Sequence, residues 1–224
     1  MDMILNYKAI LFGSIGTLVE TSELQRRAFN QAFSEARLDW HWDTDEYQKM
    51  LKKSGGLNRI NDFAIQRGIV VDAKQLHLQK TEIFDSMMAE QKISLRPGVA
   101  NLINHALNND IAIAFVTSTS EANINAIFFA LNDQINRNYF SFIGNDRMIS
   151  FPKPNSEIYL KALSELKLEA KDCIAIEDTQ VSMQAALDAD ISCIGFPGAL
   201  AQDDDFINAL IVTCLLYTSP SPRD

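Results

Sequence analysis

The chain has 224 residues, of which 47% are hydrophobic and 22% charged, and its 20 basic and 29 acidic residues leave a formal charge of −9. That composition excludes a disordered tail, a collagen and a cysteine-stapled mini-domain, and a chain of this length can bury a sizeable core. The acidic balance argues against nucleic acid and against an anionic membrane surface as partners, since both call for clustered Lys and Arg.

The predicted elements alternate in type along the chain. Lys8 to Phe12 reads as a buried strand, followed by a glycine turn at Gly13-Ser14-Ile15-Gly16. The stretch 20–94 then breaks the alternation with four successive helices, Glu23 to Ala36, Thr44 to Lys52, Leu57 to Arg67 and Lys74 to Glu90. Arg96-Pro97-Gly98 punctuates the return to alternating elements. Helices are expected at Val99 to Asn108, Glu121 to Leu131, Ser156 to Leu166 and Val181 to Ala189, and strands at Ile111 to Val116, Tyr139 to Ile143, Cys173 to Ile176 and Ile191 to Phe196.

Strands alternating with helices predict an α/β fold with a parallel sheet covered on both faces, and a ligand site beyond the carboxyl ends of the strands. The expected organisation is a core of residues 1–19 and 95–213, a helical cap inserted at 20–94, and a non-native tail at 214–224. The tail has neither helical nor strand periodicity, contains Pro220 and Pro222, and resembles translated sequencing-adapter read-through, so a closing helix or strand is expected to be missing. Cys173, Cys193 and Cys214 form no CxxC pair, which predicts reduced thiols. No basic segment followed by an apolar run opens the chain, and no stretch reaches the ~18 apolar residues of a membrane helix. A cytoplasmic protein is expected.

The strand ends carry a short set of polar residues. Thr117 to Ser120 place hydroxyls at a helix start, which suits an anion and also suits plain capping. Lys153 is held between Pro152 and Pro154. Glu177 and Asp178 follow an apolar strand, where adjacent carboxylates repel unless a cation or donors offset them. Hard oxygens at such a place suit Mg²⁺, while capping of the next helix explains them equally simply. Hydroxyls, lysine and carboxylates at successive strand ends together make a phosphate-plus-magnesium pattern.

Their order resembles the haloacid dehalogenase superfamily of phosphohydrolases, and within it the β-phosphoglucomutase and CbbY-like branch. The resemblance rests on Ile10-Leu11-Phe12-Gly13-Ser14-Ile15-Gly16-Thr17, Phe115-Val116-Thr117-Ser118, Lys153-Pro154 and Ile174-Ala175-Ile176-Glu177-Asp178. In the helical insert, Ser54-Gly55-Gly56-Leu57-Asn58-Arg59 resembles that branch's substrate loop. The resemblance implies a Rossmann-like core with a helical cap and a small phosphorylated metabolite of the sugar phosphate class as ligand. It gives Thr117 and Ser118 the phosphoryl group, and makes Lys153 the neutralising cation and the one retained catalytic residue. Glu177 and Asp178 would hold Mg²⁺, and Gly55, Gly56 and Arg59 would meet the substrate.

The departure lies in the first motif. The family's two aspartates, nucleophile and general acid/base, are here Gly13 and Ile15, which can neither form a phosphoaspartate nor move a proton. Strand alternation would point Ser14 away from positions 13 and 15. In the insert, Gln25 stands where many relatives have histidine, and Glu20 where relatives often have aspartate. Three readings follow: a metabolite-binding protein with impaired or altered catalysis, an Mg²⁺-dependent hydrolase using a metal-bound water, and a non-catalytic regulatory module with a protein partner.

Overall fold

The computed structural model describes residues 6–52, 55–91 and 93–216. Its centre is an all-parallel sheet of six strands: β1 (Ala9–Phe12), β2 (Ala112–Phe115), β3 (Phe140–Ile143), β4 (Cys173–Glu177), β5 (Ser192–Gly195) and β6 (Ile211–Val212). Their spatial order is β3-β2-β1-β4-β5-β6, so the strand order reverses between β1 and β4. An open α/β sheet leaves a crevice at that reversal, outside the carboxyl ends of the strands. The site lies there.

The period-2 alternation of each strand divides the core in two. Ile10, Phe12, Ile113, Phe115, Ile174 and Ile176 face a cluster that includes α6 (Val99–Asn108) and α7 (Glu121–Ala130). Ala9, Leu11, Ala114, Cys173 and Ala175 face the other side, covered by α8 (Glu157–Leu166) and α9 (Gln180–Leu187). β1 is buried on both faces, with all four residues at 0% exposure, as a central parallel strand must be.

After β1 the chain makes a short helical turn, α1 (Ile15–Leu18), and enters α2 (Ser22–Glu35), α3 (Thr44–Leu51), α4 (Gly56–Arg67) and α5 (Ala73–Glu90). These four helices enclose their own aromatic cluster. Trp42 stacks edge-on to Phe33 at 4.7 Å and lies 4.8 Å from Phe29. The extended segment that carries Trp42 is pinned by Asn30, whose side chain accepts from Trp42 N and donates to Trp42 O, both at 2.8 Å. Leu24, Ala28, Phe84 and Met88 at the lower ends of α2 and α5 join the sheet-side cluster instead.

The predicted elements agree with these bounds to within a few residues, except at the end of the chain. The two-residue strand β6 is absent from the expected elements, being too short for an alternation to register. Leu216, expected to belong to a foreign tail, is 4% exposed, packs into the core, and donates its N–H to Pro97 O at 3.3 Å. Residues 217–224 of that tail lie outside the described residues, as does Ser54 of the glycine loop. Among the described residues no helix is long and apolar enough to cross a membrane.

Candidate anion-binding site

A cavity of about 400 Å³ opens where the carboxyl ends of β1, β2 and β4 meet the insert helices. From the core side come Ser14, Ile15, Gly16, the run Thr117 to Ser120, and the acidic residues Asp146 and Asp178. From the insert come Gln25, Gly55, Gly56, Arg59, His77 and Lys80. Residues singled out in the sequence therefore converge: Thr117, Ser118, Asp178, Gly55, Gly56, Arg59 and Ile15, with Ser14, Gly16, Gln25, Thr119 and Ser120 beside them. A second cavity of about 380 Å³ lies within the insert, between α3 and α4, with Arg59 on its wall as well.

The hydroxyl loop is organised by the start of α7. Ser120 caps that helix by accepting from Asn123 N at 3.3 Å, and Thr117 Oγ1 accepts from Thr119 N at 3.2 Å. Asn123 Nδ2 donates to Thr119 Oγ1 at 2.9 Å. Both expected uses of these residues are thus compatible: they cap the helix, and the helix start lines the cavity. The N-terminus of α9, capped by Thr179, opens into the same space. Two helix starts and two cationic side chains face it, an environment that favours an anion.

Ser14 does not point away from the site. β1 ends at Phe12 and α1 begins at Ile15, so strand alternation does not extend to residue 14. Its hydroxyl donates to Asp178 Oδ1 at 2.6 Å, and Ser14, Ile15 and Gly16 line the cavity together. Burial raises the Asp178 carboxyl above the usual carboxylate range, and the Ser14 hydrogen bond opposes it. The loop itself is fastened by Arg96, which donates to Gly16 O at 2.7 Å, Phe196 O at 2.8 Å and Pro197 O at 2.7 Å.

Lys153 and Glu177 stand apart from the cavity lining, at 4% and 0% exposure. Lys153 Nζ donates to Glu177 Oε1 at 2.6 Å and also to Gly13 O. Tyr159 on α8 donates its hydroxyl to the same Oε1 at 2.6 Å. Burial pushes the Glu177 carboxyl upward while Lys153 pulls it down. Glu177 Oε2 is buried without a hydrogen-bond partner. The magnesium expected from the pair Glu177 and Asp178 does not fit this arrangement. One carboxylate is turned into Lys153 and Tyr159, and among the described residues no group of three or more His, Cys, Asp or Glu side chains is gathered to hold an ion.

Lys80 is not among the residues that the sequence pattern brings forward. It is 4% exposed, lies 4.9 Å and 4.8 Å from the rings of Phe29 and Phe84, and donates to Gln25 Oε1. Burial, with Arg59 nearby, lowers its pKa to about 7. Burial likewise lowers His77 to about 4, so that imidazole is neutral at physiological pH. A signal exists: Lys80 interrupts the buried row Leu76, Phe84, Met88 at spacing four on α5, where a cation is out of place unless something uses it.

The comparisons agree with this geometry. The model of the haloacid dehalogenase-like hydrolases matches residues 10–196. The protein CbbY of Cereibacter sphaeroides is 39% identical over 205 residues, covering 90% of this chain and 89% of the relative. A crystal structure of CbbY from Rhodobacter sphaeroides in complex with phosphate superposes with a TM-score of 0.86 at 36% identity, covering 94% of this chain and 95% of the other. An aspartate-to-asparagine mutant of that CbbY, in complex with xylulose-1,5-bisphosphate, superposes equally well, with the same identity and coverage. On the family match, the shared fold and the strand-end residues, this chain belongs to the haloacid dehalogenase-like hydrolases, in their CbbY-like branch.

Proposed function

We propose that this chain binds a small phosphorylated metabolite of the sugar phosphate class in the cavity between sheet and insert, and that it lacks phosphoaspartate turnover. The observation that carries the reading is the convergence of Thr117 to Ser120, at the start of α7, with Arg59 and Lys80 from the insert around one cavity of about 400 Å³. Helix N–H groups and hydroxyls suit one phosphate, and a guanidinium suits a second by its bidentate fork. Xylulose-1,5-bisphosphate, held by the related CbbY, carries two such groups on a short sugar.

In this reading residues 20–94 act as a cap over a core of residues 1–19 and 95–213. Gly55 and Gly56 let the cap backbone approach the ligand closely. Gly55 has φ +98°, a conformation that favours glycine. A Cβ at Gly56 would come within 2.7 Å of His77 Nε2 and 3.0 Å of Phe29.

Turnover is the part that this chemistry does not support. Phosphoryl transfer in this fold needs a carboxylate that attacks and another group that moves a proton. Gly13 supplies neither, and Ile15 presents only hydrocarbon to the cavity. For the hydrolase reading with a metal-bound water, no group of three or more His, Cys, Asp or Glu side chains is gathered among the described residues.

Titration calorimetry with inorganic phosphate and with a ketose bisphosphate tests the proposal. The full chain is expected to bind both, the bisphosphate more tightly, and Thr117→Val combined with Ser118→Ala to weaken both at least tenfold. A folded protein that gives no heat with either ligand overturns the reading.

A further inference from the structure

Gly13 is more than a missing nucleophile. Its N–H donates to Ile176 O at 3.0 Å, which sets residue 13 beside the end of β4. By strand parity Leu11 faces the same side of the sheet as Ala175 and Glu177, the side on which α8 carries Tyr159. A Cβ built at position 13 would overlap the Glu177 carboxylate and the Tyr159 hydroxyl. The space that any larger residue would take is therefore filled by Glu177.

That placement redirects two charges. Glu177 Oε1 receives Lys153 at 2.6 Å and Tyr159 at 2.6 Å, and Lys153 reaches on to Gly13 O. Each buried charge is the other's counter-ion. Glu177 Oε2 has no hydrogen-bond partner, but it is buried and Glu177 stands apart from the cavity lining. To serve a cation at the cavity, the side chain would have to turn and leave a buried ammonium without its carboxylate, an arrangement strongly disfavoured in a low-dielectric interior. Two carboxylates then remain at the cavity, Asp178, already bonded to Ser14, and Asp146, whose N–H donates to Thr119 O at 2.9 Å.

We propose that this chain takes its anion without a divalent cation, the Lys153–Glu177 pair having replaced the ion as the buried charge balance, and that glycine at position 13 is what permits the replacement. The inference rests on the anion-binding reading above, but its test separates the two. Manganese and magnesium are titrated alone into the full-length protein, Mn²⁺ followed by water-proton relaxation and Mg²⁺ by calorimetry. Inorganic phosphate is then titrated with Mg²⁺ present and with chelator.

The expected result is no specific metal binding and a phosphate affinity that differs less than twofold between the two conditions. Stoichiometric metal binding, or a phosphate affinity that falls tenfold or more in chelator, overturns the proposal. If phosphate fails to bind at all, the anion-binding reading falls, while the metal titrations still decide this one. Gly13→Asp supplies the reverse test: the new carboxylate claims the space and Lys153, so Glu177 is released toward the cavity and metal affinity should rise at least tenfold. A folded variant without that gain also contradicts the proposal. If the variant does not fold, the titrations on the unaltered chain decide between the two outcomes.

Discussion

The Lys153–Glu177 pair shows how one side chain, or its absence, sets the roles of its neighbours. Both residues stand out in the sequence, as cation and metal ligand, because each lies at a strand end. Their pairing is hidden there, since it depends on the empty volume at Gly13, and volume across two strands has no signature in a linear pattern. Breaking a buried pair leaves an uncompensated charge, so Lys153→Met should destabilise the protein by ~3–5 kcal/mol in urea unfolding. Replacing both partners with apolar residues should cost less than the sum of the single changes. A second residue-scale prediction concerns Lys80, whose pKa is lowered to about 7 by burial. The ammonium is charged below that pH and neutral above it, so affinity for sulfate, which stays divalent throughout, should fall as pH rises from about 6 to about 8, across the pKa of the group. His77, lowered to about 4, stays neutral across that window. The Asp178 carboxyl is also raised, so Lys80→Met is the control. A slope that survives this substitution assigns the effect elsewhere.

At the scale of elements the sequence is more transparent, for a physical reason. Strands buried on both faces read as unbroken apolar runs, and Ile111 to Val116 and Cys173 to Ile176 have little alternative. The helices α2 to α5 declare themselves by period, and by an interruption of the strand–helix alternation that only an insert explains. What the pattern misses is order beyond the period: Arg96 looks like punctuation but ties the first loop to the end of β5 through three carbonyls. Ser14 is misdirected when alternation is carried past the last strand residue. The start of α7 offers a test at this scale. Ser120 accepts from Asn123 N, so Ser120→Ala should cost ~1 kcal/mol of unfolding free energy, as loss of an N-cap does elsewhere. The same change should leave phosphate affinity within a few-fold, since the backbone N–H groups of the helix start persist. Equal loss of stability and binding would tie the hydroxyl itself to the ligand.

For the molecule as a whole, two clusters on the sheet faces and an aromatic cluster among the insert helices carry the packing, and the cavity lies where insert and sheet meet. The end of the described chain belongs to this packing. Leu216 enters the core, and Gly98, at φ +84°, gives its backbone room, since a Cβ there would overlap Leu216 O. Leu216→Ala should therefore cost ~2–5 kcal/mol, and a chain cut at Val212 should unfold at lower urea than the full one. Equal midpoints would show that the contact contributes nothing. The central claim is that this fold holds a phosphorylated sugar without cleaving it. The most direct measurement is phosphate release from a ketose bisphosphate by the full chain, at concentrations where calorimetry shows the site filled. A rate equal to that without protein is predicted; release above that rate, abolished by Thr117→Val, would contradict the claim.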